Sequence, residues 1–180
     1  MAEPELIPFP EVAHLFKDFE YSAWRLETRR GYASDRRSAK WQRWRDGEDI
    51  SGGPDNDWRR NVRSQTRAGK RFERVRLVDD PPTDGQRFLL VSGLGNVAAG
   101  EDIRNLYRQD ARRLGLPDFD FWLFDSKVVV KFHFDDEDTT LGVEVIDEPR
   151  TVIAACQARE AAWHHAIRTV DFQRQVPSTM

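Results

Sequence analysis

Two stretches of the chain alternate apolar and charged residues one for one. Trp24 and Leu26 alternate with Arg25 and Glu27, and Val75 and Leu77 alternate with Arg74 and Arg76. A period of two is that of a strand, so both stretches predict strands, the second over residues 72–79 with its arginines turned outward. Val12, Leu15, Phe16 and Phe19 instead fall at helical spacing and predict a short amphipathic helix over residues 10–19. Residues 34–45 read as helical again. A turn-rich acidic loop follows over residues 46–57, "DGEDISGGPDND". Asp57 is placed to cap a helix that starts at Trp58 and closes at Gly69. Trp58 and Val62 lie on its inward face.

Further along, residues 83–99 predict a helix closed by Gly100, and residues 102–108 a strand. Residues 119–125 are a fourth strand candidate, and residues 127–135 and 141–148 form a hairpin. Within its first arm Val128, Val130, Phe132 and Phe134 face one side, while Lys127, Lys131 and His133 face the other. Pro149 opens a last helix with an apolar stripe of Val152, Cys156, Trp163 and Ile167. The pattern is that of one α+β domain over residues 10–170. It mixes helices and strands and ends in an antiparallel meander covered by the final helix. Residues 1–9 and 171–180 read as flexible tails.

Composition changes this picture only in part. The chain has 180 residues, enough for one packed domain, and its six Trp and eleven Phe compensate for a hydrophobic content of 39%. The lone cysteine, Cys156, rules out an internal disulfide framework and suits a reducing, cytoplasmic setting. No apolar run reaches the ~20 residues of a membrane span, and the first ten residues lack a signal-peptide pattern.

Charge adds more. Residues 24–76 carry sixteen Lys/Arg against eight Asp/Glu, whereas the remainder carries twelve against twenty-three. Residues 118–148 alone hold ten acids and two lysines. Either a basic face meets phosphate or an acidic partner, or the two patches face each other inside the fold.

Four constellations carry possible chemistry. Arg59, Arg63, Arg67 and Arg71 recur every four residues and predict one stripe. With Trp41 and Trp44 in "KWQRWR" they make a basic, aromatic-interleaved surface suited to phosphate backbones, although both tryptophans can also point into the core. His133, Asp135 and Glu144 could share one side of the hairpin as metal ligands, the plainer reading being a turn rich in Asp with Lys131 paired to Glu144. Gly93, Gly95 and Ala98 satisfy a loose dinucleotide pattern, for which the chain leaves little room. Glu160 and His164 sit four apart on the last helix, the spacing of a surface pair. Cys156, on that helix's apolar stripe, reads as packing rather than as a nucleophile.

The stretches "WRLETRRGY" (24–32), "RVRLVDDPPTD" (74–84), "NVAAGEDIRNL" (96–106), "DFWLFDS" (120–126) and "FDDEDTTLGVEVIDEP" (134–149) resemble an actinobacterial domain-of-unknown-function family. That resemblance runs from about Phe16 to Ala166. It implies the company of helix-turn-helix regulators, and brings no catalytic residues. The last sixty residues are also similar to phospholipase-D-like sensor domains of regulators. The H-x-K pair of the active enzymes is missing, since Phe134 and Asp135 follow His133.

These readings lead to a non-enzymatic regulatory or interaction module with no cofactor. Its expected partner is a protein, a helix-turn-helix regulator, with weak nucleic-acid contact through Arg59, Arg63, Arg67, Arg71, Trp41 and Trp44 and no membrane. The rival reading is a small biosynthetic enzyme, its pocket between the meander and the last helix near Asp125, His133 and Glu144.

Overall fold

The computed structural model describes residues 4–176. Its frame is one seven-stranded sheet built from β1 (Ser22–Glu27), β2 (Arg71–Val78), β3 (Asp102–Tyr107), β4 (Phe121–Phe124), β5 (Val128–Phe134), β6 (Thr140–Ile146) and β7 (Ile167–Arg168). The strand order is β6-β5-β4-β1-β2-β3-β7. Neighbours β1, β2 and β3 run parallel, and every other pairing is antiparallel. The α+β class and the meander read from the sequence are therefore present, with the meander continuing a parallel centre.

Helices cover both faces. A 3-10 turn (Phe9–Val12), α1 (Leu15–Asp18), α4 (Asp57–Arg67), α5 (Asp84–Ser92) and α6 (Leu94–Ala99) lie over the front. So do the short α2 (Ala33–Arg36) and α3 (Ala39–Arg45). Behind lie α7 (Arg108–Arg113) and α8 (Pro149–His165), and α9 (Thr169–Gln173) closes the β3 end. The back face is mainly apolar, apart from buried Glu73, which Arg159 of α8 meets at 2.8 Å. Trp24, Leu26, Val75, Leu77, Phe121, Leu123 and Val129 pack there against Val152, Ala155 and Ala162 of α8. At the front, Phe16, Phe19, Val62, Phe72, Trp122 and Phe124 form a second core. The front core is rich in edge-on ring pairs, such as Phe16 against Trp122 at 5.0 Å.

Local signals explain the helix ends. Asn56, one residue before the position expected, caps α4 by accepting from Arg59 N at 2.8 Å. Gly69 follows at φ +86°, where a side chain would be strained. Thr83 and Gln86 form a capping box at α5. Glu148 accepts from the amides of Arg150 and Thr151 to start α8, with Pro149 in the first turn.

Several expectations shift. Residues 10–19 divide into the 3-10 turn and α1. Residues 34–45 divide because the Ser38 side chain caps α3 by taking Trp41 N, and residues 83–99 divide at Gly93. The segments read as tails also carry structure. Ile7 exchanges two backbone hydrogen bonds of 2.9 Å with Val143 on β6, and Phe172 of α9 is wholly buried. The largest correction concerns β2. Its arginines do not face solvent, since Arg74 is 7% exposed and Arg76 5%. Helices α5 and α6 lie over the face that alternation assigned to water. No helix among the described residues is long and apolar enough to cross a membrane.

Candidate functional site

Register between two central strands creates the site. Arg25 stands opposite Arg74, and Glu27 opposite Arg76, so three arginines and one carboxylate meet on the front of β1 and β2. Buried like charges at this spacing need counter-charges, and the fold brings them from distant segments. Glu27 accepts from Arg74 Nη1 at 2.5 Å and from Arg76 Nε at 2.5 Å. Glu101, at the end of α6 and 2% exposed, accepts from Arg74 Nε at 2.7 Å. Asp120, just before β4 and 1% exposed, takes Tyr32 Oη at 2.5 Å, Thr28 N at 2.7 Å and Arg25 Nη2 at 3.3 Å. Arg76 also donates from Nη1 to the Leu89 carbonyl at 2.7 Å.

Electrostatics follow from this packing. Burial by itself would raise the Glu27 carboxyl, but Arg74, Arg76 and Arg25 outweigh it and hold that group far below the usual carboxylate range. The Arg74 guanidinium is held charged by Glu101 and Glu27 against the opposing effect of burial. Burial and then the Asp120 charge push the Tyr32 phenol well above its ordinary value, so it stays neutral and donates.

Over this network lies a cavity of about 610 Å³. Arg25, Glu27, Arg74 and Arg76 form its floor, and Asp35, Lys40, Arg59, Ser92, Gly93 and Asn96 form part of its wall. Arg59 is 7% exposed, and among the described residues no carboxylate lies within 4.0 Å of it. Its guanidinium reaches only neutral oxygens, at long range. These are Asn96 Oδ1 at 3.4 Å and the carbonyls of Gly52, Gly53 and Pro54 at 3.3–3.5 Å. Lys40 is likewise bound only to the Ser92 carbonyl, at 3.3 Å. Burial first, and Arg59 next, lower the Lys40 ammonium below its ordinary value. Asp35 moves the other way, raised by burial and by Glu27. Five cations (Arg25, Lys40, Arg59, Arg74 and Arg76) thus share the cluster with four carboxylates (Glu27, Asp35, Glu101 and Asp120).

The glycines of "SGLGN" now have a physical role. A Cβ at Gly95 would overlap the Arg59 guanidinium, and one at Gly93 would stand 2.7 Å from Arg76 Nη1. Both positions lie in or beside short helices rather than in a loop leaving a strand, so the dinucleotide reading has no structural counterpart. They leave room for arginines to lie against the backbone.

The sequence-predicted residues fall in several places. The four-residue arginine stripe is broken at both ends. Arg59 turns into the cavity, and Arg71 lies beyond Gly69 as the first residue of β2. Arg63 pairs with Asp55 at 2.5 Å, and Arg67 and Arg71 are exposed. Trp41 and Trp44 lie 5.0 Å apart and pack on Phe88, the inward alternative that their spacing allowed. His133 Nε2 meets Glu144 Oε2 at 3.2 Å, whereas Asp135 is engaged by the amides of Glu137 and Thr139. Among the described residues no group of three His, Cys, Asp or Glu side chains is placed to hold a metal. Asp125 sits at the opposite end of the β4–β5 pairing from His133. It is tied to the amides of Glu20, Tyr21 and Ser22 at 2.7–2.9 Å. A second cavity of about 610 Å³ does lie between the meander and α8. Glu144 lines it, but neither Asp125 nor His133 does.

The segregated charges thus meet one another, inside the fold in Arg25–Asp120 and Arg74–Glu101 and nearer the surface in Arg29–Asp138. The sequence reading missed Arg25, Glu27, Arg74, Arg76, Glu101 and Asp120 as a site. A signal was present. Arg25 and Glu27 on one strand and Arg74 and Arg76 on the other stand two apart, as residues of one face do, and Asp120 adjoins the apolar run FWLF.

A family model described as a domain of unknown function, DUF6879, matches residues 10–174. No curated protein matches the chain. Among solved structures, a phospholipase D family member, Nuc from Salmonella typhimurium, is similar in fold, with a TM-score of 0.51 and 13% identity over 92% of this chain and 98% of that one. That likeness is one of fold alone, and it spans nearly the whole chain rather than the last sixty residues.

Proposed function

The chain belongs to the DUF6879 family, and we propose that it is a non-enzymatic binding module whose front cavity takes an anionic group, phosphate above all. One observation carries this reading: Arg59 is a buried cation facing the cavity with no carboxylate partner among the described residues. A buried charge without a partner is costly, and a bound anion supplies that partner. Lys40 beside it strengthens the field, and the guanidinium fork suits phosphate oxygens. The non-enzymatic part rests on how three of the four acids are used. Glu27, Glu101 and Asp120 each receive arginine hydrogen bonds, which leaves them engaged rather than poised to move a proton.

Titration calorimetry of the whole chain with inorganic phosphate at low salt tests the reading. Wild type binds. Arg59→Gln loses affinity by about tenfold or more, since a charge-assisted hydrogen bond is worth roughly 1.5–3 kcal/mol. The same variant keeps or gains thermal stability, because it removes an uncompensated buried charge. Absence of phosphate binding by wild type overturns the proposal.

A second reading keeps the regulatory partner. Arg67 and Arg71 remain exposed beside the half-buried Arg63, a basic surface outside the cavity. An acidic patch on a helix-turn-helix regulator would meet that surface. The double variant Arg63→Glu, Arg67→Glu then loses co-purification of the partner while phosphate binding persists. Unchanged co-purification removes this surface from consideration.

A further inference from the structure

The cavity has a second half that an inorganic ion would leave empty. Opposite the Lys40 and Arg59 wall it is lined by Phe9, Tyr32, Phe132 and Phe134, with Phe88 at the α5 side. The Phe132 and Phe134 rings lie nearly parallel, 11° apart with centroids at 5.8 Å, and Phe9 leans on Phe132 at 5.2 Å. Tyr32 approaches Phe134 at 5.8 Å. The Arg25 guanidinium bridges the halves, since it lies 4.8 Å above the Phe132 ring and also lines the cationic floor. A volume of about 610 Å³ falls within the range of organic ligands rather than of single ions. The two chemistries meet at the rings themselves, since Arg25 lies over Phe132 and the Arg29 guanidinium lies 5.1 Å over Phe134, which leaves the cavity-facing side of each ring for a ligand.

We propose that the ligand is a monophosphate ester that bears a planar ring, with the phosphate between Arg59 and Lys40 and the ring on the wall of Phe9, Phe132 and Phe134. This rests on the anion-binding reading above and adds the body of the ligand to it. Ring stacking on aromatic side chains supplies the added affinity and tolerates different rings. The aromatic wall favours a flat ring, which a sugar or an alkyl chain lacks.

AMP and ribose 5-phosphate form a matched pair of probes, because they differ only by the base. Calorimetry on the whole chain compares both with inorganic phosphate. The expected result is AMP at least tenfold tighter than ribose 5-phosphate, with ribose 5-phosphate close to inorganic phosphate. In Phe134→Leu the ratio of AMP to ribose 5-phosphate affinity falls severalfold. Equal binding of AMP and ribose 5-phosphate overturns the ring while leaving the anion site standing, and an unchanged ratio in Phe134→Leu removes the aromatic wall from the explanation. If none of the three probes binds, the anion site itself is overturned and this inference with it.

Discussion

The same strands show two different ways of being buried. On the back face, Leu26, Val75 and Leu123 are shielded by the hydrocarbon of α8 and ask for nothing but close packing. On the front face, Arg25, Glu27, Arg74 and Arg76 are nearly as inaccessible, yet every position depends on a partner contributed by another segment. Apolar burial is additive and forgiving, whereas ionic burial is conditional on geometry and total charge. The front face is therefore where a missing charge is felt, and Arg59 and Lys40 are where it is missing.

The comparison breaks most readily at Arg74. Arg74→Met leaves Glu27 and Glu101 buried with fewer counter-charges, and the expected loss is about 3–5 kcal/mol in urea denaturation. Leu123→Ala on the back face is expected to cost about 2–5 kcal/mol through its cavity alone, with no dependence on salt or pH. If Arg74→Met costs under about 1 kcal/mol, the front network is not the conditional element described.

Acidity separates the faces further. The Glu27 carboxyl is held below its ordinary value of 4.5, so its contribution to stability is full above that pH and is lost as pH falls toward its native value. Denaturation midpoints should decline below about pH 4.5 in wild type. Glu27→Gln should flatten that decline, and an equally steep decline in the variant would assign it to other groups.

Smaller effects concern the cavity. Gly95→Ala displaces the Arg59 guanidinium, and phosphate affinity should fall about tenfold, comparable to losing one charged hydrogen bond. An affinity equal to wild type would show that Arg59 does not hold the anion. Asp35→Asn removes a negative charge from the wall. Sulfate, whose charge is constant across the neutral range, should then bind about fivefold tighter at pH 7, a modest Coulomb effect. Wild type should approach the variant as pH falls through the raised Asp35 value, because protonation removes the same charge. Identical sulfate affinities at pH 7 would place Asp35 outside the field of the site.

What could be read from the sequence was what is decided locally. The α8 start at Glu148-Pro149, the Gly69 and Gly100 closures and the β5–β6 hairpin depend on a few adjacent residues, and each lies within a few residues of its predicted place. The site was illegible for the opposite reason. Alternation reports that Arg74 and Val75 face opposite ways, but not whether water or a helix covers each side. That depends on α5 and α6, and on Glu101 and Asp120, which stand 27 and 95 residues from the arginines they bind, Arg74 and Arg25. The arginine stripe failed for a related reason. Spacing by four assumes one continuous helix, and Gly69 ends it before Arg71.

The pairing of Ile7 with Val143 has a further bearing on solubility. An open sheet is vulnerable where its border strands expose unpaired amides and carbonyls, since another chain can add there. β7 limits that risk by being two residues long, and β6 is covered near its middle by the backbone of Ile7. Phe9, two residues on, is part of the cavity wall. Whatever occupies the cavity therefore also steadies the segment that guards β6, so an occupied protein should resist intermolecular strand addition better than an empty one.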